Sequence, residues 1–248
     1  MARHDRPGGA GDGRGYDWRG LRAGMLAAIS LPGLVMAFSF LGFGALVHSE
    51  NFPLAAGLVS VPVIWALPGQ VVFLDAWSHG LSLLLIALGV TLTAVRLLPM
   101  VVLVLSRARL EGAPRWPEYM AAHFIAATVW VMTEMHFDGL PRPARLPWVI
   151  GLGTALVTAM TLMTAAGYAL TGLLPAPVSV TLVFFTPVFF LLALLDGARV
   201  PMDWLAIAAG AIIGPLTHLA WPGLDLLIAG IIGGSGAFAL GLWWRRRP

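Results

Sequence analysis

Residues 83–106, LLLIALGVTLTAVRLLPMVVLVLS, decide the fold class. The run carries one ionisable side chain, Arg96. It is long enough to cross a hydrocarbon core of roughly 30 Å, which takes about 20 residues at ~1.5 Å each. Outward from it the same texture recurs. Apolar segments occupy approximately 22–47, 53–77, 79–105, 117–137, 147–172, 178–195, 203–220 and 223–244, joined by short connections. The chain is 58% hydrophobic and only 11% charged, against about 25% charged in an ordinary soluble domain. A soluble fold of 26.3 kDa cannot bury that much apolar surface, so lipid must solvate the outside. The expected fold is all-α: a polytopic transmembrane helical bundle of about 7–8 membrane segments.

The first residues differ from the rest. Residues 1–18 are rich in Gly, Arg and Asp and read as a disordered N-terminal tail. Residues 19–248 read as a single transmembrane domain. The tail lacks the apolar run and small-residue cleavage site of a removable signal peptide, so the first apolar segment is expected to stay in the mature protein. The absence of cysteine excludes disulfides and thiol chemistry.

Tryptophan and arginine mark the membrane boundaries. Trp18, Trp77, Trp116, Trp148, Trp204, Trp221, Trp243 and Trp244 fall at segment ends, where an indole prefers the headgroup level. The basic residues are all arginine and the net charge is +3. With both termini cytoplasmic and every segment crossing, Arg3, Arg6, Arg14, Arg19, Arg22, Arg142, Arg145, Arg199 and Arg245, Arg246 and Arg247 lie inside. Arg107, Arg109 and Arg115 then fall outside, against the rule. Cytoplasmic termini are the expectation. The high pI reflects orientation rather than nucleic-acid binding.

A shift of 125 residues superposes Gly42 on Gly167, Pro62 on Pro187 and Gly89 on Gly214, the layout of an internal repeat such as transporters use. Gly210 and Gly214, and Gly230 and Gly234, have the spacing that lets membrane helices approach closely.

Broken helices are tolerated in lipid only inside a bundle or beside a wet cavity. Pro32, Pro62, Pro68, Pro99, Pro187 and Pro215 all interrupt apolar segments. Pro68-Gly69-Gln70 combines a break with a primary amide. Opened backbone groups plus that amide suit the carboxylate and ammonium of a small zwitterion, or else Gln70 simply bonds another helix. Arg96 lies roughly 16 Å deeper than Arg107 along a helix, where a charge costs at least ~2.5–3.5 kcal/mol and calls for a partner. It suits a substrate carboxylate; Asp75 or Glu134 are the structural alternatives. Asp75, His123, Thr128 and Glu134 form a candidate polar or coupling network, His123 as a proton relay or a plain hydrogen-bonding group. No metal-ligand spacing, Walker loop, nucleophile turn or dinucleotide fingerprint is present, so neither a metal nor a cofactor is expected.

On these residues the chain resembles the AzlC family, the large subunit of bacterial branched-chain amino-acid exporters. The likeness rests on segment layout from Gly20 onward, on Gly-Leu-Arg-Ala-Gly at residues 20–24, on the break ending at Gln70, and on Arg96-Leu97-Leu98-Pro99-Met100. Family members usually read Asn-x-Arg-His-x-Leu-Met there. Ala94 stands in place of that asparagine and Leu97 in place of the histidine. The acidic Asp-Glu pair usual in the fourth segment is replaced by Ala126, Ala127 and Thr128, which marks a divergent member. The resemblance implies a non-enzymatic secondary transporter that exports small apolar amino acids with a small AzlD-type membrane subunit. Pro68, Gly69, Gln70 and Arg96 are its expected substrate contacts. The competing classes are a channel, and a membrane enzyme or assembly factor built on His123, Glu134 and Asp75.

Overall fold

The computed structural model describes residues 15–173, 201–220 and 225–245, with positions 175, 177, 188, 191 and 195 between them. All regular structure among these residues is helical: α1 (Arg19–Ala27), α2 (Leu31–Ser49), α3 (Leu54–Ile64), α4 (Leu67–Ser78), α5 (Leu83–Ala94), α6 (Leu98–Ala108), α7 (Trp116–Phe124), α8 (Ala127–His136), α9 (Arg142–Leu173), α10 (Pro201–Ala220) and α11 (Asp225–Arg245), with 3-10 turns at Val95–Leu97 and Phe137–Gly139. Among the described residues, four stretches are long and apolar enough to cross a membrane: Leu31–Ser49, Leu83–Ala108, Arg142–Leu173 and Pro201–Ala220. Many of their large side chains are exposed, Leu83, Leu84, Leu98 and Leu219 among them, as expected of surfaces that lipid rather than water covers. Apart from positions 188, 191 and 195, the expected segment at 178–195 lies outside the described residues, as does the proline at 187.

The chain divides into two compact units, Met1–Met36 with Val95–Ala159 and Ala37–Ala94 with Met160–Pro248.

In the first unit, α1 runs parallel to the start of α9. Gly20 abuts Ala144, Gly24 abuts the carbonyl of Trp148, and Gly151 abuts that of Leu21, so closely that a Cβ on Gly24 or Gly151 would overlap the facing carbonyl oxygen. Only glycine allows this approach, which aligns Cα–H groups with carbonyl oxygens across the interface. The same unit shows why residues 117–137 are not one rod. Drawn out straight, Trp116 and Phe137 would lie roughly 31 Å apart. Instead both ends reach the first turn of α9. Trp116 stacks on Trp18 at 5.8 Å, next to Asp17, whose N–H donates to the Pro143 carbonyl at 2.9 Å. Arg145 donates to the Phe137 carbonyl at 2.7 Å. Helices α7 and α8 therefore form a hairpin that turns at Ile125 and Ala126, both extended. Its tip is deep: Phe124 packs against Gly153, about 16 Å along α9 from Arg142.

The second unit contains a matching pair of features. Gly44 abuts the carbonyl of Thr164 and Gly167 that of Leu41, again with no room for a Cβ. Helices α3 and α4 also double back. As one rod they would separate Phe52 from Trp77 by roughly 37 Å, yet those rings lie 5.6 Å apart, with Phe73 also 5.6 Å from Phe52. α10 and α11 pack on each other, Met202 filling the place where Gly241 has no side chain.

These contacts revise the sequence reading in two places. Segments 53–77 and 117–137 each double back as a helical hairpin instead of forming one straight helix. Trp148 is buried at 2% exposure against His136 and Phe137 instead of facing a headgroup layer. Of the glycines related by the 125-residue shift, Gly167 meets the Leu41 carbonyl where α2 and α9 touch. The likeness that the backbone does display is between the two hairpins. Each is helix, two non-helical residues, helix, with turns at 65–66 and 125–126.

Candidate substrate site

The α3–α4 turn is built by local sequence. Pro62 sits inside α3 and has no N–H, which releases the carbonyl of Leu58. Trp65 ends the helix in the left-handed region at φ 40°, a conformation that costs a residue other than glycine of order 1–3 kcal/mol and persists only where packing enforces it. The enforcing contact is visible: Trp65 is buried and stacks on the fully buried Phe40 at 6.3 Å. Ala66 is extended, and α4 then starts with Leu67 and Pro68, proline being suited to a first turn.

A helix start leaves its first N–H groups without intrahelical acceptors. Here Pro68 has none, and the Gln70 N–H is taken by the Ala66 carbonyl at 3.0 Å. Leu67 and Gly69 supply the others. Gly69 lies close under α5, where a Cβ would come within 3.0 Å of the Thr93 hydroxyl and 3.1 Å of Ile64. Thr93 donates back to the Val90 carbonyl at 2.7 Å, which leaves its oxygen lone pairs facing the Gly69 side. Gln70 is 0% exposed, and neither its amide nitrogen nor its amide oxygen has a hydrogen-bond partner. Leaving a buried primary amide unpaired costs about 1–3 kcal/mol for each group. Of the two roles the sequence left open for Gln70, an interhelical bond is not formed among the described residues.

The remaining expected residues separate. Arg96 lies in the 3-10 turn between α5 and α6, is exposed, and makes no ion pair among the described residues. Neither acid named for it serves it. Asp75 lies 3.6 Å from His79 within α4, and the His79 ring is 6.4 Å from that of His218. Glu134 is held by Arg107 at 2.7 Å, and Arg107 also reaches Asp138 at 3.0 Å. His123 is exposed, stacked edge-on against Phe124 near the α7–α8 tip. Thr128 is half-buried in the first turn of α8. No cluster of His, Cys, Asp or Glu fit to hold a metal occurs among the described residues.

Sequence reasoning missed three contributors. Thr93 stood within a quoted motif but carried no sign that it would face Gly69. Trp65 has no sequence signal for a left-handed conformation. The α7–α8 turn has neither proline nor glycine at Ile125-Ala126 to announce it. In α8, Trp130 holds the same fourth position that Gln70 holds in α4, and its indole N–H is likewise buried without a partner.

A family model described as AzlC protein matches residues 33–174, more than half of the chain, from α2 through α9. The chain belongs to the AzlC family. No curated protein and no solved structure matches it. AzlC proteins are associated with branched-chain amino-acid transport, so the chain is a membrane transporter in class. The matched region contains both hairpins and every expected site residue.

Proposed function

We propose that this AzlC protein is a secondary transporter that exports small apolar amino acids, branched-chain ones first, across a bacterial inner membrane. The observation that carries the proposal is Gln70: a buried, unpartnered amide in the first turn of a helix that starts inside an apolar segment. In a family of transporters, an unsatisfied polar group at membrane depth is where a polar solute is expected. Pro68, Gly69 and Gln70 are the proposed substrate contacts. Arg96, exposed and without an ion-pair partner among the described residues, is proposed as a second charge that the substrate meets. Asp75, His123, Thr128 and Glu134 are proposed to serve coupling or the polar network rather than substrate. In the absence of a nucleotide-binding motif, an ion or substrate gradient supplies the energy.

A small AzlD-type membrane subunit is the proposed partner. The proposed topology has both termini in the cytoplasm and about eight membrane segments, of which 53–77 and 117–137 are re-entrant. With 117–137 returning, Arg19, Arg22, Arg107, Arg109, Arg115, Arg142 and Arg145 gather at one end of the first unit. The positive-inside rule then no longer has a dissenting loop.

The test is efflux from cells fed dipeptides of Leu, Ile, Val or Met, with this chain expressed alone or with a small subunit. Accelerated efflux of at least one of these amino acids is expected. Unchanged efflux of all four in both cases would refute the proposal.

A further inference from the structure

We infer that the first turn of α4 binds the carboxylate end of the substrate, through the Leu67 and Gly69 N–H groups and the Gln70 amide. This rests on the transporter reading above and states which end of the zwitterion goes where.

Three observations carry it. First, α4 is a helix of 12 residues, so its start bears the partial positive charge of about half an elementary charge that helix N-termini present to anions. No side chain caps that start. Second, a helical side chain tilts toward the N-terminus and covers the turn before its own Cα. At the fourth position of α4, Gln70 therefore lies back over those free N–H groups. Its buried amide is unpartnered, so the Nε2 group is free to donate to a carboxylate oxygen. Third, glycine at 69 keeps the approach open. A Cβ there would press on Ile64 and the Thr93 hydroxyl, so any larger residue would close the space between α4 and α5.

The ammonium has a complementary place. On the other side of the Trp65-Ala66 turn, Pro62 has no N–H to give the Leu58 carbonyl inside α3, so that carbonyl lacks its usual helical donor. Asp75 lies beyond that turn by more than two helical turns of α4 and is engaged with His79. Backbone carbonyls rather than a carboxylate are thus the ammonium acceptors near the turn, and a neutral amide at Gln70 avoids repelling the substrate carboxylate.

Glutamate at position 70 decides the matter, because it keeps the shape and reverses the preference. Affinity is measured on the purified protein with leucine, with 4-methylpentanoate (carboxylate only) and with isoamylamine (amine only). For the wild type, leucine and 4-methylpentanoate are expected to bind and isoamylamine to bind at least tenfold more weakly than leucine. Gln70→Glu is expected to lose at least tenfold in affinity for both carboxylates. Gln70→Leu provides the check on folding. It removes a buried unpaired amide, so its melting temperature should equal or exceed that of the wild type while leucine affinity falls at least tenfold. Leucine affinity of Gln70→Glu equal to or tighter than the wild type, or a wild-type preference for isoamylamine, would overturn the inference and leave transport intact. Failure of the wild type to move any amino acid would instead remove the reading on which the inference rests.

Discussion

The Arg145 guanidinium donates to the backbone carbonyl of Arg107 at 3.0 Å, joining the first turn of α9 to the last turn of α6. The same side chain donates to the carbonyls of Phe137 and Leu140 and lies over the Phe137 ring, 5.3 Å from its centroid. One side chain thus ties together the carbonyls of Arg107, Phe137 and Leu140, and it holds the end of α6 and the start of α9 at one end of the α7–α8 hairpin.

Topology follows from that bond. Single cysteines placed by Glu111→Cys and Gly139→Cys, both at exposed positions flanking the hairpin, should react with an impermeant maleimide from the same side of the membrane. The parent chain has no cysteine to confuse the reading. Labelling from opposite sides would mean that residues 116–136 cross after all.

Stability should depend on Arg145 itself. Arg145→Ala removes charge-assisted bonds to three carbonyls and is expected to cost about 3 kcal/mol, read as a lower melting temperature in detergent. Arg145→Lys should recover little, because one ammonium cannot reproduce the planar fork that reaches all three. Full recovery with lysine would show that charge alone matters there.

The glycine contacts make a paired prediction. Gly24→Ala and Gly44→Ala put a methyl group against the carbonyls of Trp148 and Thr164, so each should lower the melting temperature by several degrees through forced helix separation. Gly210→Ala meets nothing within 4 Å and should be neutral or stabilising by up to ~1 kcal/mol. Equal behaviour of the three would remove the close-approach explanation.

Arg96→Ala tests the exposed arginine. With no ion pair to break among the described residues, the variant should insert and keep its melting temperature, yet lose transport. Wild-type efflux from Arg96→Ala would exclude Arg96 from the substrate's path.

The helical membrane class was legible because hydropathy is a property of residues: the run around Arg96 needs no tertiary information. The break at Pro68-Gly69-Gln70 was legible for the same reason, since proline and glycine act on their own turn. The return of each hairpin was not. Whether Trp77 meets Phe52 depends on tertiary contacts that no local pattern encodes, and at Ile125-Ala126 apolar residues with no breaker signal make the turn. The arginines did carry a trace of it, because the loop 107–115 violated the charge rule under the simplest topology. The partner of Glu134 was misread for a related reason: along a straight segment Arg96 is a plausible mate, but the folded hairpin delivers Glu134 to Arg107.

The central claim is that an AzlC chain with its buried Gln70 moves small apolar amino acids. The most direct measurement is efflux of labelled leucine from proteoliposomes containing the purified chain, together with a small membrane subunit, under an imposed ion gradient or with external unlabelled leucine. The account predicts efflux well above that of protein-free vesicles, and efflux near that background for Gln70→Glu. Leucine, isoleucine, valine and methionine all retained at the background rate by the wild-type protein would contradict it.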